Sequence, residues 1–305
     1  MLKAAFIALS ENRPLRQVAE RSSLGHRISS RFVAGTTVEE ALKATQEVNS
    51  LGMSVSLDNL GENVTNADEA RQSAQLYGQL LDRISERRLN ANVSLKLTHI
   101  GFDIDQGLAT DIVAGLVRKA REKRNFVRVD MEGSAYTQHT LDLVQEIHRN
   151  GDADAIGAVI QAYLRRSEAD IHNLIAQGIR IRLCKGAYKE PPEIAFSAKP
   201  EVDANYVKLM KTLLKSGVYH GIATHDEKMI EATIRFAEAE KIAADAFEFQ
   251  MLYGIRRDLQ QELVKQGWRM RVYIPFGTEW YPYFMRRLAE RPANVLFVAR
   301  NLLRS

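Results

Sequence analysis

The chain has 305 residues, long for one domain but within the range of a single barrel of alternating strands and helices. Hydrophobic residues make up 45% and charged residues 26%, the mix of a globular protein with ample material for a core. The net charge of +4 comes from 42 basic and 38 acidic residues that interleave, which argues against a nucleic-acid binder, whose basic residues gather in one stripe.

The first fifty residues read as helical and capping material. Thr37 and Glu40 have the spacing of a capping box, and Val38, Ala41, Leu42 and Thr45 form a helical stripe that ends near Gly52. Short β-rich runs then recur at Ser54–Leu57, Val93–Leu97, Val127–Met131, Gly157–Tyr163, Ile179–Leu183, Gly221–Thr224, Phe247–Leu252 and Met270–Ile274. Helical periodicity fills the gaps at Asp68–Arg87, Asp111–Lys123, Thr137–Arg149, Ser167–Gln177, Asp203–Ser216, Asp226–Ala239 and Arg257–Lys265, with a last helix after Tyr281. Eight such units in series predict an α/β fold of the (β/α)8 type, a closed parallel barrel. The competitor is an open doubly wound sheet. It usually carries a glycine-rich turn after its first strand, and Asp58-Asn59-Leu60-Gly61-Glu62 is not one. The expected division is an N-terminal helical extension over residues 1–50 and a catalytic barrel over 51–305, with the last helix over the barrel mouth.

The lone cysteine, Cys184, excludes an intramolecular disulfide and a cluster of cysteine ligands. The seven histidines show no metal-ligand spacing, and phosphate-loop, zinc-protease and nucleophile-elbow motifs are absent. Asp130 and Glu132 would share one strand face, which offers at most a weak site for a hard cation. No charged-then-apolar leader opens the chain and no apolar run approaches a membrane span. A cytoplasmic protein is expected, with peripheral membrane contact open to it.

Catalytic side chains of such barrels project from the carboxyl ends of the strands. Those ends offer Asp58, Lys96, Asp130 with Glu132, Gln161 with Arg165, Arg182 with Lys185, Thr224 with His225, Gln250, and Tyr273. Each has a structural alternative: Lys96 and Asp130 could pair with each other, His225 could be a hydrogen-bonded core histidine, and Arg182 could reach solvent from a sheet edge. Toward the end, Val272 and Ile274 read as a buried strand, Pro275-Phe276-Gly277 as a turn, and the next helix carries Arg286 and Arg287. Two adjacent guanidinium groups one helical turn after Tyr283 could be a solvated helix face or a clamp for a small carboxylate.

Five strings in register carry a family resemblance. They are Ile160 to Leu164 (IQAYL), Arg182 to Tyr188 (RLCKGAY), Ala223 to Asp226 (ATHD), Phe247 to Gly254 (FEFQMLYG) and Tyr283 to Arg287 (YxxRR). From about Val55 to the end the chain resembles proline dehydrogenase, in the length class of the monofunctional bacterial enzymes. The resemblance implies a distorted (β/α)8 barrel, bound FAD, oxidation of L-proline to Δ1-pyrroline-5-carboxylate, and electrons passed to a quinone at the inner membrane. Carried over residue by residue, it implies Asp130 and Arg182 as catalytic groups. Lys96, Tyr273, Leu252, Arg286 and Arg287 become substrate contacts, with Asp130 neutralising and positioning Lys96. Gln161, Arg182, Lys185, Gly186, Ala187, Thr224 and His225 become FAD contacts. Two positions depart from the family pattern: Lys189 stands where many relatives have an aromatic residue, and Cys184 where valine is frequent. Two other functions suit the same fold, a Schiff-base lyase or aldolase using Lys96 or Lys185 and a non-catalytic amino-acid-binding protein.

Overall fold

The computed structural model describes residues 29–61 and 64–290, with Ala19, Ser22 and Gly25 singly. Helix α1 (Val38–Ser50) begins at the expected capping box: the Thr37 hydroxyl accepts from the Glu40 amide, and the Glu40 carboxylate accepts from the Thr37 amide. Its buried face, Ala41, Leu42, Ala44, Thr45 and Val48, packs on the first and last strands and shares their core.

Eight strands follow: β1 (Ser54–Asn59), β2 (Ala91–Leu95), β3 (Val127–Val129), β4 (Ile156–Gln161), β5 (Arg180–Cys184), β6 (His220–Ala223), β7 (Phe247–Leu252) and β8 (Met270–Phe276). Each is parallel to its neighbours, and β1 pairs with β8 to close the barrel. The outer helices are α2 (Ala67–Glu86), α3 (Gln106–Glu122), α4 (Ser134–Ile147), α5 (Ser167–Ala176), α6 (Lys199–Lys215), α7 (Glu227–Ala239), α8 (Arg257–Lys265) and α9 (Trp280–Glu290). The open-sheet alternative is therefore excluded, and Arg182 has no sheet edge from which to reach solvent.

Three local expectations are corrected. Helix α3 starts five residues before Asp111, because the Asp105 side chain caps it by accepting from the Leu108 amide. Pro275 and Phe276 belong to β8, not to a turn, and the chain bends only at Gly277, whose φ of +126° suits glycine. Pro275 needs no amide hydrogen there, while its carbonyl accepts from the Ala34 amide. Asp130 and Glu132 do not share a strand face. β3 ends at Val129, and the Glu132 carboxylate turns away to accept from the Thr98 amide and hydroxyl.

Three apolar clusters result, the smallest of them Tyr163, Leu164 and Ala195. The largest lies between strands and helices. A smaller one, with Phe32, Val33, Leu60, Ile255, Trp280 and Phe284, packs α9 against the carboxyl ends of β1 and β7. The last helix therefore lies over the barrel mouth.

Candidate active site

The barrel interior is polar to an unusual degree, and alternation along the strands is the reason. Side chains two residues apart face the same side. Ser56 and Asp58, Ser94 and Lys96, Arg128 and Asp130, Glu248 and Gln250, and Arg271 and Tyr273 are such pairs, and all are joined by hydrogen bonds to groups on other strands. Two glycines make room. A Cβ on Gly157 would come within 2.6 Å of the Arg128 guanidinium, and one on Gly221 within 2.3 Å of the Gln250 amide.

Arg182 is the hub. Its Nε donates to Gln250 Oε1 at 2.6 Å, and one terminal nitrogen donates to Asp130 Oδ1 at 2.6 Å and to Ser94 Oγ at 3.2 Å. The other terminal nitrogen reaches Ser56 Oγ at 3.4 Å, and the guanidinium carbon lies 5.1 Å from the Tyr273 ring centre. Asp130 accepts further bonds from Ser94 at 2.7 Å and from the Tyr273 hydroxyl at 2.8 Å. Burial, and then the charges of Asp130 and Asp58, push the Tyr273 hydroxyl well above its ordinary value, so it stays a donor.

The expected Lys96–Asp130 pair does not form. Lys96 donates to Asp58 Oδ2 at 2.9 Å, across the β1–β2 pairing, while Asp130 is held by Arg182. The guanidinium with its several donors satisfies Asp130, and the ammonium takes the carboxylate left on the adjacent strand. Asp58 is buried, which lifts its carboxyl above the ordinary range against the pull of Lys96. Tyr77 of α2 donates to the same carboxylate at 3.3 Å.

Around the rim, Gln161 donates to the Glu132 carbonyl at 2.9 Å and accepts from the Ala187 amide at 3.4 Å. Gly186 has φ +115°, and a Cβ there would meet the Tyr163 ring at 2.1 Å. The Tyr163 hydroxyl is itself buried with no hydrogen-bond partner. Lys185 is held by Asp203 at 2.5 Å and Asp226 at 2.7 Å. Thr224 accepts from the Asp226 amide, and His225 accepts from the Leu252 amide at 2.9 Å, which ties β6 to β7. Leu252 is half-buried against the cluster beneath α9. In α9, the Arg287 guanidinium lies 4.9 Å from the Tyr283 ring; the Arg286 side chain lies outside the described residues. Burial pushes the Cys184 thiol up to about 12, so at this position cysteine serves as a small apolar residue.

Reasoning from strand ends therefore brings together Asp130, Arg182 and Tyr273, and sets Lys96 beside them through Asp58. It passes over Ser56, Ser94 and Glu248 altogether, and it names Gln250 without a partner. The i, i+2 recurrence of polar residues on otherwise apolar strands was the available signal. Among the described residues no group of histidine, cysteine and carboxylate side chains could hold a metal ion, and no helix is long and apolar enough to cross a membrane.

A closed parallel barrel that gathers charged side chains at the carboxyl ends of its strands is the framework of a TIM-type barrel enzyme. Comparison with known proteins is specific within that class. Residues 41–300 match the sequence profile of the proline dehydrogenase family. Proline dehydrogenase 1 of Bacillus subtilis strain 168 is 41% identical over 305 residues, covering 100% of both chains. Proline dehydrogenase of Deinococcus radiodurans is 37% identical over 307 residues, covering 100% of this chain and 98% of that one. The crystal structure of proline utilization A from Bdellovibrio bacteriovorus, inactivated by N-propargylglycine, superposes with a TM-score of 0.81 at 28% identity, over 87% of this chain and 32% of that one. The chain belongs to the proline dehydrogenase family and is an oxidoreductase. This displaces the lyase and the binding-protein alternatives.

Proposed function

We propose that the chain oxidises L-proline to Δ1-pyrroline-5-carboxylate with FAD as cofactor, and that a quinone takes the electrons onward during peripheral contact with the inner membrane. The observation that carries this reading is the buried Arg182–Asp130–Tyr273 constellation at the strand ends of a chain in this family.

The residues at the rim fit such a cofactor. Lys185 offers a cation and Thr224 a hydroxyl. Gln161 and the Ala187 amide offer a polar edge, and the buried Tyr163 hydroxyl, with no partner of its own, lies against Gly186. These are donors suited to phosphates, a ribityl chain and a ring edge, and His225 would hold the adjoining β6–β7 corner in place. When bound, FAD supplies the acceptor of a hydride at its N5. Arg182 would set a fixed positive charge beside that acceptor, held in orientation by Asp130 and Gln250.

Proline has a carboxylate, a ring nitrogen and an apolar ring. Arg286 and Arg287 would grip the carboxylate with charge-assisted bonds, Lys96 would approach from β2, and Tyr273 with Leu252 would wall the ring. This grip fixes which ring carbon faces the acceptor. The amine must be neutral before a hydride leaves the adjacent carbon, and solvent takes that proton. Asp130 acts by positioning Arg182 and Tyr273. We also propose that residues 1–50 form an extension to a catalytic barrel at 51–305.

The test is a proline-dependent assay with an artificial electron acceptor, in which the cyclic imine product is trapped with o-aminobenzaldehyde. One imine should form for each two electrons transferred. Imine without acceptor reduction, or a proline adduct trapped by borohydride on Lys96 or Lys185, would overturn the assignment.

A further inference from the structure

Three buried ion pairs neutralise the barrel interior: Lys96 with Asp58, Arg182 with Asp130, and Arg271 with Glu248. Arg128 is left over. It is 5% exposed, donates only to the carbonyl oxygens of Ala158 at 2.9 Å and Arg180 at 2.6 Å, and forms no ion pair among the described residues. Its Nε is buried without a hydrogen-bond partner. An isolated buried charge is costly, and an arginine cannot escape the cost by losing its proton at neutral pH.

Arg128 also lines a cavity at the amino-terminal mouth of the barrel, opposite the proposed catalytic face. The cavity measures about 330 Å³ counting the space that opens to solvent, and Phe126, Arg180, Tyr219, Glu248 and Arg271 also line it. Glu248 makes no hydrogen bond to Arg128: its carboxylate accepts from Arg271 at 2.6 Å, Gln250 at 2.6 Å and Tyr219 at 2.9 Å, and its charge reaches Arg128 only through space. Arg180 adds a second cation. Its guanidinium and that of Arg128 both lie against the Phe126 ring, at 5.5 and 4.7 Å from its centre.

We propose that this mouth binds a small monovalent anion of halide size, held between the guanidinium groups of Arg128 and Arg180. The anion supplies further counter-charge there, and the site is independent of the flavin and of proline. Burial and the like charges of Arg182 and Arg271 bear on Arg128, countered in part by the more distant charges of Glu248 and Asp130, and an anion in the cavity would add to that counter-charge.

The test uses the full-length protein as purified. Its thermal midpoint is followed against sodium chloride and against sodium gluconate at matched ionic strength, and crystals soaked in sodium bromide are measured for anomalous scattering. Chloride should raise the midpoint saturably and gluconate should not. Arg180→Gln, at a partly exposed position, should raise the half-saturating chloride concentration about tenfold. Bromide should give a peak in the cavity beside the Arg128 and Arg180 guanidinium groups. Equal midpoints in the two salts, an Arg180→Gln variant that titrates like the parent, or water alone beside Arg128 would each overturn the proposal. Arg128→Leu removes the excess charge and should abolish the chloride effect; should it not fold, Arg180→Gln carries the test alone.

Discussion

At the scale of the residue, the account turns on how few ways Arg182 can move. Gln250 links it to Glu248 through two bonds of 2.6 Å each, so the orientation of the guanidinium is inherited from an ion pair deeper in the barrel. Gln250→Leu leaves a buried donor on Arg182 and a buried acceptor on Glu248 each short of one partner. It should cost ~2–3 kcal/mol in urea unfolding. It should also lower kcat for proline with little change in KM; a raised KM at unchanged kcat would place Gln250 on the substrate side instead. Arg286→Met or Arg287→Met should raise KM by roughly 10- to 100-fold, the equivalent of one charge-assisted bond, while FAD content stays near that of the parent. Loss of FAD with proline affinity intact would contradict the clamp. Asp58→Asn deprives Lys96 of its carboxylate within the barrel and should cost ~3 kcal/mol in the same unfolding measurement. An unchanged unfolding midpoint would mean that the pair contributes little.

At the scale of the element, the strands were legible and the helix starts less so. A strand buried on both sides shows itself as a run of β-branched and apolar residues, and all eight runs became strands, with ends shifted by one or two residues. Helices α3 and α6 began several residues earlier than their apolar periodicity, because polar and proline-containing first turns, such as Lys199-Pro200-Glu201, carry no hydrophobic signal. The identity of partners was not legible at all. Lys96 could be read as a strand-end cation, but its choice of Asp58 over Asp130 depends on barrel register and on the competing guanidinium from β5. His220 shows the same limit. It is buried at the start of β6, where Nδ1 accepts from the Ile181 amide of β5 at 3.0 Å and Nε2 lies 2.9 Å from Ser216 Oγ. Burial and the nearby charge of Arg128 push its pKa down to about 3 from 6.5. The unfolded chain therefore takes up a proton below pH 6.5 that the folded chain refuses until about pH 3. The stability due to neutral His220 is complete above pH 6.5 and falls with pH through that window, by about 1.4 kcal/mol per pH unit. His220→Asn should flatten the fall when urea midpoints are compared at successive pH values. Parallel pH dependence in variant and parent would show that other groups govern it.

At the scale of the whole molecule, the barrel separates its charges into two ends. The carboxyl end holds the constellation proposed for proline oxidation, covered by α9, and the amino end holds the surplus arginine. Between them runs one hydrogen-bonded chain, Arg271–Glu248–Gln250–Arg182–Asp130–Tyr273, so the proposed catalytic groups are braced from below and not only by the loops above. If the neutral amine is the form that yields a hydride, turnover should rise with pH as free proline loses its amine proton. A rate independent of pH from neutral to alkaline would count against that step. The most direct measurement of the proposed function is the visible absorption of the protein loaded with FAD under anaerobic conditions, before and after L-proline is added. The account predicts that the oxidised flavin bands bleach, with Arg182→Ala slowing the bleaching in a single turnover. A correctly folded, FAD-loaded sample whose bands persist in saturating L-proline would contradict it.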